Sequence, residues 1–317
     1  MPEPRARRPA VTLLRAPFDS GHRGTRMGGG PEALARAGAS ERLRARGHLV
    51  TELVVEPSSS WVAEVATAFE LNQAIAVAVA EAEEAGHVPL LLAGNCNATL
   101  GVLAGLADPA HRQGLVWLDA HGDFNTPEED TGGFLDGHGL AIAVGRCWAA
   151  LAATIPGFRP LPESHVLLIG ARDLSEDQRA VLLRSGVTWL PPAEARDPAT
   201  LVAALEQLSA RVDVVHFHVD LDVHDPSIAP ANGYAAPDGL SAAEVRRVLR
   251  LTAAQLPVVS GTLASYDPAY DVEHRMRDTA LDLLDDLAAV ATPAAPRGTQ
   301  GWAATRASSS SSSGRSA

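Results

Sequence analysis

Short apolar runs alternate with longer stretches whose apolar residues suit helices, and this alternation continues from about residue 11 to residue 290. The runs Val11–Leu14, Leu49–Val55, Pro89–Ala93, Gly114–Leu118, Val166–Gly170, Val187–Leu190, Val214–Asp220 and Val258–Tyr266 predict strands. Between them, helices are predicted over Pro31–Arg46, Ala63–Gly86, a stretch ending near Leu106, His138–Leu151, Glu176–Ser185, Pro198–Arg211, a segment beginning at Ser241, and Met276–Val290. Pro31 suits a first helical turn, Gly86 a helix end and Ser175 an N-cap; Ser241 followed three residues later by Glu244 is a capping-box pattern. Strands that alternate with helices imply an α/β fold of three layers, α/β/α, around a central, mainly parallel sheet of about eight strands. One catalytic-sized domain is expected over 11–291, with a flexible N-terminus over 1–10 and a disordered Ser-, Pro- and Gly-rich tail over 292–317. Ligands of such sheets bind beyond the carboxyl ends of the strands. Polar clusters fall there: after Ala93, after Leu118, at Asp220 and after Ala264.

The chain has 317 residues, 46% of them hydrophobic, enough to bury a sizeable core. A formal charge of −12 and a pI near 5.3 argue against nucleic acid or an anionic membrane as the main partner. All 26 basic residues are Arg, which with the abundant Ala, Gly and Pro reflects a GC-rich coding bias. Two cysteines, Cys96 and Cys147, make no disulfide framework, so a reducing, cytoplasmic location is expected. The basic N-terminus lacks a following apolar core because Arg15 interrupts it, and no stretch is expected to reach membrane-spanning length.

The chemistry concentrates in Asp119–Asn125, DAHGDFN, which follows the apolar run GLVWL. Asp119, His121 and Asp123 alternate, so in extended backbone they leave on one face and can converge on a metal ion. A second strand end, HVDLDVHDP, offers Asp220 and Asp222 in the same alternation, while Asp225-Pro226 suits a turn. His216 and His218 on that strand are expected to be hydrogen-bonded core histidines. Five candidate ligands from two segments suit a dinuclear centre whose metal-held hydroxide is the nucleophile, with no Ser or Cys nucleophile needed.

Along roughly residues 11 to 290 the chain resembles the arginase–agmatinase (ureohydrolase) family. The resemblance is carried by APFDSGHRG with GGGPEAL, by DAHGDFNTP against the family's DAHxDxN, by LIGARDL, and by DLDVHDPSIAPANGYAAPDGL. It implies hydrolysis of guanidino or amidino C–N bonds with two divalent ions, manganese by resemblance. By position it implies Asp119, His121, Asp123, Asp220 and Asp222 as metal ligands, Asp119 and Asp220 bridging, and Asn125 as a substrate contact. It also implies a small-molecule substrate and a homo-oligomer, trimeric or hexameric.

Four positions depart from the family pattern. Cys96, in AGNCN, stands where the family has a ligand histidine; it is either a metal ligand, which would favour Zn²⁺ or Fe²⁺, or a small buried residue beside a weakened site. Asp136 stands at the proton-shuttling histidine, with His138 two residues on, so either is a candidate for the proton. Ser265 stands near the glutamate that clamps the guanidinium, with Asp267 as a distant substitute. Ser175 stands where an acid holds the amino group of the substrate in arginases. These departures keep two other readings open: a zinc-dependent amide hydrolase or deacetylase-like enzyme on the same fold, and a catalytically impaired scaffold.

Overall fold

A computed structural model describes residues 8–60, 63–130 and 132–294. The chain enters through β1 (Val11–Ala16), makes a small antiparallel hairpin of β2 (Phe18–Asp19) and β3 (His22–Arg23), and continues through α1 (Gly30–Arg36), α2 (Ala39–Ala45) and β4 (Val50–Val54). Next come α3 (Glu64–Glu84), β5 (Val88–Ala93), α4 (Thr99–Leu106), β6 (Gln113–Leu118), α5 (Gly139–Ala143), α6 (Ala149–Ala152) and β7 (Val166–Ile169). The last part runs α7 (Glu176–Arg184), β8 (Thr188–Leu190), α8 (Pro192–Arg196), α9 (Pro198–Ser209), β9 (Val214–Asp220), α10 (Ala242–Gln255), β10 (Val258–Ala264) and α11 (Arg275–Val290).

Eight of these strands form one sheet in the order β4-β1-β5-β10-β9-β6-β7-β8, and every pairing in it is parallel. The alternation of side chains then divides the core in two. Val11, Leu13, Leu90, Leu92, Val116, Leu118 and Phe217 pack on the apolar stripes of α1, α2, α9, α10 and α11. On the other face Leu14, Leu91, Leu115, Trp117 and Leu168 pack on α3, α4 and α5. With both faces covered the strands read as continuous apolar runs, which is why their positions were plain in the sequence.

Differences from the expected elements have local causes. The helix expected over Pro31–Arg46 is two helices, because Gly38 adopts φ +89° between them. The helix expected over His138–Leu151 stops at Ala143, where Gly145 takes φ +82° and Trp148 φ +53° before α6 begins. By length and composition α3 is long and apolar enough to cross a membrane, against the expectation that no stretch reaches that length; it is mostly buried, packed on α4. The capping boxes at Ser241 and Ser175 are both formed, the second with Gln178. Residues 1–7 of the expected N-terminal segment, and the expected tail beyond 294, lie outside the described residues.

Candidate metal centre

The polar clusters follow β5, β10, β9 and β6, the four contiguous strands at the middle of the sheet. Their carboxyl ends open on a cleft of about 130 Å³. His121, Asp123, Asn125, Asp136, Asp220, Asp222 and Ser265 all line it. Two of the connecting residues adopt left-handed backbone, Asp123 at φ +46° and Ser265 at φ +64°. Non-glycine residues held there are uncommon and mark sites whose surroundings dictate the backbone.

Asp119 is fully buried below the cleft floor; its Oδ2 accepts from Trp117 Nε1 at 2.9 Å and its Oδ1 from the His121 amide at 2.7 Å. His121 Nδ1 lies 3.3 Å from Asp119 Oδ1 and 3.4 Å from Asp222 Oδ2. The donor atoms of Asp119, His121 and Asp222 lie within 4.8 Å of one another. Asp222 is held by the Ala120 amide at 3.1 Å and the Asn232 side-chain amide at 3.3 Å. Asp220 Oδ1 accepts from the Asp222 amide at 2.8 Å, and its Oδ2 from the Cys96 thiol at 3.0 Å.

Crowding of like charges governs the electrostatics. Burial, then Asp222 and Asp119, push the Asp220 carboxyl well above its usual range. Burial, then Asp119, Asp136 and Asp220, do the same to Asp123. Burial raises Asp119 as well, against the hydrogen bond from His121. His121 answers this field: burial works against its cation, but Asp222 and Asp119 outweigh it and hold the imidazole up to about 10. The guanidinium of Arg172 does not neutralise the cluster. It donates to main-chain carbonyls, among them Asp222 O at 3.0 Å and Ala236 O at 2.7 Å, and so ties the end of β7 to the loop after β9. Four carboxylates and an imidazole gathered in a mostly buried pocket are donors of the kind that hold a divalent cation, with Asp119, His121 and Asp222 the tightest group about His121.

The structure separates the other candidates. Asp136 reaches the cleft, its carboxylate accepting from the Asn97 amide and the Asn95 side chain, each at 2.8 Å; burial raises it to about 7 against those two hydrogen bonds. His138 does not line the cleft. It is buried 3.3 Å from Asp130 Oδ2, its Nδ1 accepts from Trp148 Nε1 at 3.2 Å, and burial lowers its pKa. Asp267 is turned away, capping the amide of Ala269. Asn125 accepts from Gln178 Nε2 at 3.1 Å. Ser265 is buried with Oγ 3.3 Å from Cys96 Sγ, and its carbonyl accepts from Asn232 at 2.9 Å. Cys96 is itself buried, its thiol pushed well above 9 by burial and then by Asp220. His216 is a satisfied core histidine, bonded to Ser260 and Thr262, whereas His218 faces Cys96.

Sequence reasoning did not single out Asn232, Tyr234, Phe134 or Gln178. Asn232 links Asp222 to the carbonyl of Ser265, and Tyr234 and Phe134 stack at 5.6 Å at the mouth. Asn232 and Tyr234 lie within the DLDVHDPSIAPANGYAAPDGL segment, so position in that motif was the available signal. Phe134 lay in a polar loop and carried none.

Comparison with known proteins agrees with this geometry. A family model described as the arginase family matches residues 9–289. The arginase of Bacillus caldovelox is 30% identical over 292 residues, covering 87% of this chain and 97% of that protein. The N(omega)-hydroxy-L-arginine amidinohydrolase of Streptomyces lavendulae is 31% identical over 268 residues, covering 84% and 92%. The crystal structure of arginase from Bacillus subtilis superposes with a TM-score of 0.79 at 29% identity, over 88% of this chain and 98% of that one.

Proposed function

The chain belongs to the arginase family, and we propose that it hydrolyses a guanidino or amidino C–N bond of a small cationic substrate at a divalent metal centre in the cleft. The observation that carries this reading is the convergence of Asp119, His121, Asp123, Asp220 and Asp222 at the ends of β6 and β9, with no arginine among the described residues in an ion pair with them. The donor chemistry fits hard or borderline divalent ions, and the upward shifts of three carboxyls mark a cluster that wants a cation. Asp119, His121 and Asp222 would hold one ion and Asp123 a second, with Asp119 and Asp220 available to both. When bound, such ions supply an acidified water and a Lewis acid toward the reacting carbon.

The remaining work falls to this chain's own side chains. Asp136 reaches the cleft and His138 does not, so Asp136 is the group placed to take and return a proton at the departing nitrogen. Asn125, braced by Gln178, and the Ser265 hydroxyl are the polar contacts offered to the substrate. Phe134, Tyr234 and the carboxylate of Asp173 at the rim favour a cation entering from solvent. The named relatives do not favour the amide-hydrolase or scaffold readings. A homo-oligomer and a cytoplasmic location belong to the proposal on the strength of family likeness and two free thiols; light scattering and fractionation test them.

The decisive assay loads the purified protein with Mn²⁺, Zn²⁺ or Fe²⁺ and follows urea and ammonia release from a panel of guanidino compounds. Release of either product supports the reading. No release from protein shown to carry metal overturns it.

A further inference from the structure

Below the floor of the cleft a second set of donor atoms converges. There β6, β9 and β10 lie in register, Trp117 opposite His218 and His218 opposite Thr262, so these side chains leave the same face of the sheet side by side. One pleat further on, β9 places Asp220 on that face, and the turn after β5 brings in Cys96. Cys96 Sγ lies 3.0 Å from Asp220 Oδ2 and 3.3 Å from His218 Nε2. Donor atoms of Cys96, Asp119 and His218 fall within 4.8 Å of one another, and all three residues are buried.

The hydrogen bonds behind His218 accommodate the tautomer that carries its proton on Nδ1. Thr99 Oγ1 donates to Thr262 Oγ1 at 3.3 Å. A hydroxyl has a single proton to give. With that proton on Thr262, Thr99 accepts from His218 Nδ1, 2.8 Å away. The lone pair of Nε2 then points at Cys96. A histidine whose far nitrogen is pinned by a hydroxyl, and whose ring is stacked at 3.7 Å on Trp117, is oriented as metal-binding histidines are oriented by their outer partners. Trp117 also fixes Asp119 through its indole nitrogen. One tryptophan thus positions two of the donors.

We propose that Cys96 and His218 bind one of the divalent ions together, with carboxylate oxygens from Asp119 and Asp220, and that this thiolate–imidazole–carboxylate set prefers zinc or ferrous iron to manganese. The proposal rests on reading the cleft as a metal centre and adds two ligands below it. Thiolate is a soft ligand and selects against manganese, which prefers carboxylate, carbonyl and water. Donors around a tetrahedral zinc stand about 3.5 Å apart, given bond lengths of about 2.0–2.3 Å. The observed separations of 3.0 and 3.3 Å need to open by only a few tenths of an ångström. Binding releases the thiol proton to solvent, so uptake of the ion is accompanied by proton release. Ser265, whose hydroxyl lies 3.3 Å from the sulfur, stands on the substrate side of this site.

X-ray absorption at the zinc edge of the zinc-loaded full-length protein tests this without any variant. The expected spectrum contains a sulfur scatterer at about 2.3 Å together with imidazole nitrogen at about 2.0–2.1 Å. Cys96→Ser should remove the sulfur and Cys147→Ser should leave it. His218→Asn should keep the sulfur but lower the imidazole count. Competition titrations should show zinc held at least about tenfold more weakly by C96S and by H218N, with manganese affinity little changed at the His121 side. Zinc bound without sulfur overturns the inference and leaves the metal-centre reading standing. A sulfur signal with an unchanged imidazole count and zinc affinity in folded H218N overturns the role of His218. Failure of the protein to bind zinc, iron or manganese overturns both readings.

Discussion

Asp123 sits in left-handed backbone, where burial and then four neighbouring carboxylates raise its own carboxyl, and this makes it a residue with two opposite effects on stability. A folded-state pKa above the unfolded value means that the ionised form is destabilised by folding. The contribution is favourable below the ordinary carboxylate range and is lost as pH rises through the raised value. Asp123→Asn removes that charge and keeps a side chain that tolerates φ > 0. In chelator at neutral pH the variant should therefore melt above the parent, by about 2–4 °C for each kcal/mol of repulsion relieved. The difference should shrink in acid. With metal present the order should reverse, because a ligand has been lost. A parent that melts above the variant in chelator at neutral pH would show that the carboxylates are not mutually repulsive. At the rim, Tyr234 is about half exposed, stacks on Phe134 and meets the edge of His121 at 6.5 Å. If it receives a cationic substrate through its ring face, Tyr234→Leu should raise KM by roughly twofold to fivefold with kcat little changed, in line with about 0.5–1 kcal/mol for an exposed cation–π contact.

The helix α7 shows how an element connects stability to the site. Its N-terminus is closed by a capping box in which Gln178 Oε1 accepts from the Ser175 amide at 2.7 Å. The other end of the same amide, Nε2, donates to Asn125 in the cleft at 3.1 Å. Gln178→Glu preserves the acceptor toward the cap and removes the donor toward Asn125. It should leave the urea midpoint nearly unchanged and raise KM severalfold; Ser175→Ala should instead cost about 1 kcal/mol of stability. An equal loss of stability in both variants would mean that Gln178 serves the helix alone. The cap itself was legible, since Ser175 followed by acids is a local signal; the reach of Gln178 to Asn125 was not, because it depends on where the loop after β6 passes α7. Helix ends show the same division. Ser241 with Glu244 was plain in the sequence, whereas the breaks at Gly38 and Gly145 interrupt stretches that otherwise look helical.

Across the whole molecule, what could be read beforehand is what depends on neighbours along the chain. Eight apolar runs gave the strands, and the alternation of Asp119, His121 and Asp123, and of Asp220 and Asp222, gave their common face. The pairing of Cys96 with His218, the exclusion of His138 by Asp130 and Trp148, and the approach of Phe134 to Tyr234 depend on register between strands and on loop paths. One-dimensional pattern carries no such information. The same topology leads to a prediction about the molecule as a unit. The candidate ligands hang from β6 and β9 and from the turn after β5, with β10 between β5 and β9, so a bound cation ties three strand ends across β10 and relieves the repulsion among their acids. The edge strands β4 and β8 contribute no ligand. Chelation should therefore lower Tm, by an amount that grows with metal affinity as ligand linkage requires. It should also raise hydrogen exchange selectively at Ala93–Cys96, Leu118–Asn125, Asp220–Val223 and Ala264–Tyr266, leaving β4, β8 and the helices far from the cleft at their original protection. Uniform loss of protection on chelation would instead mean that the metal is needed for the entire fold. No change at the four strand ends would remove the metal from the cleft.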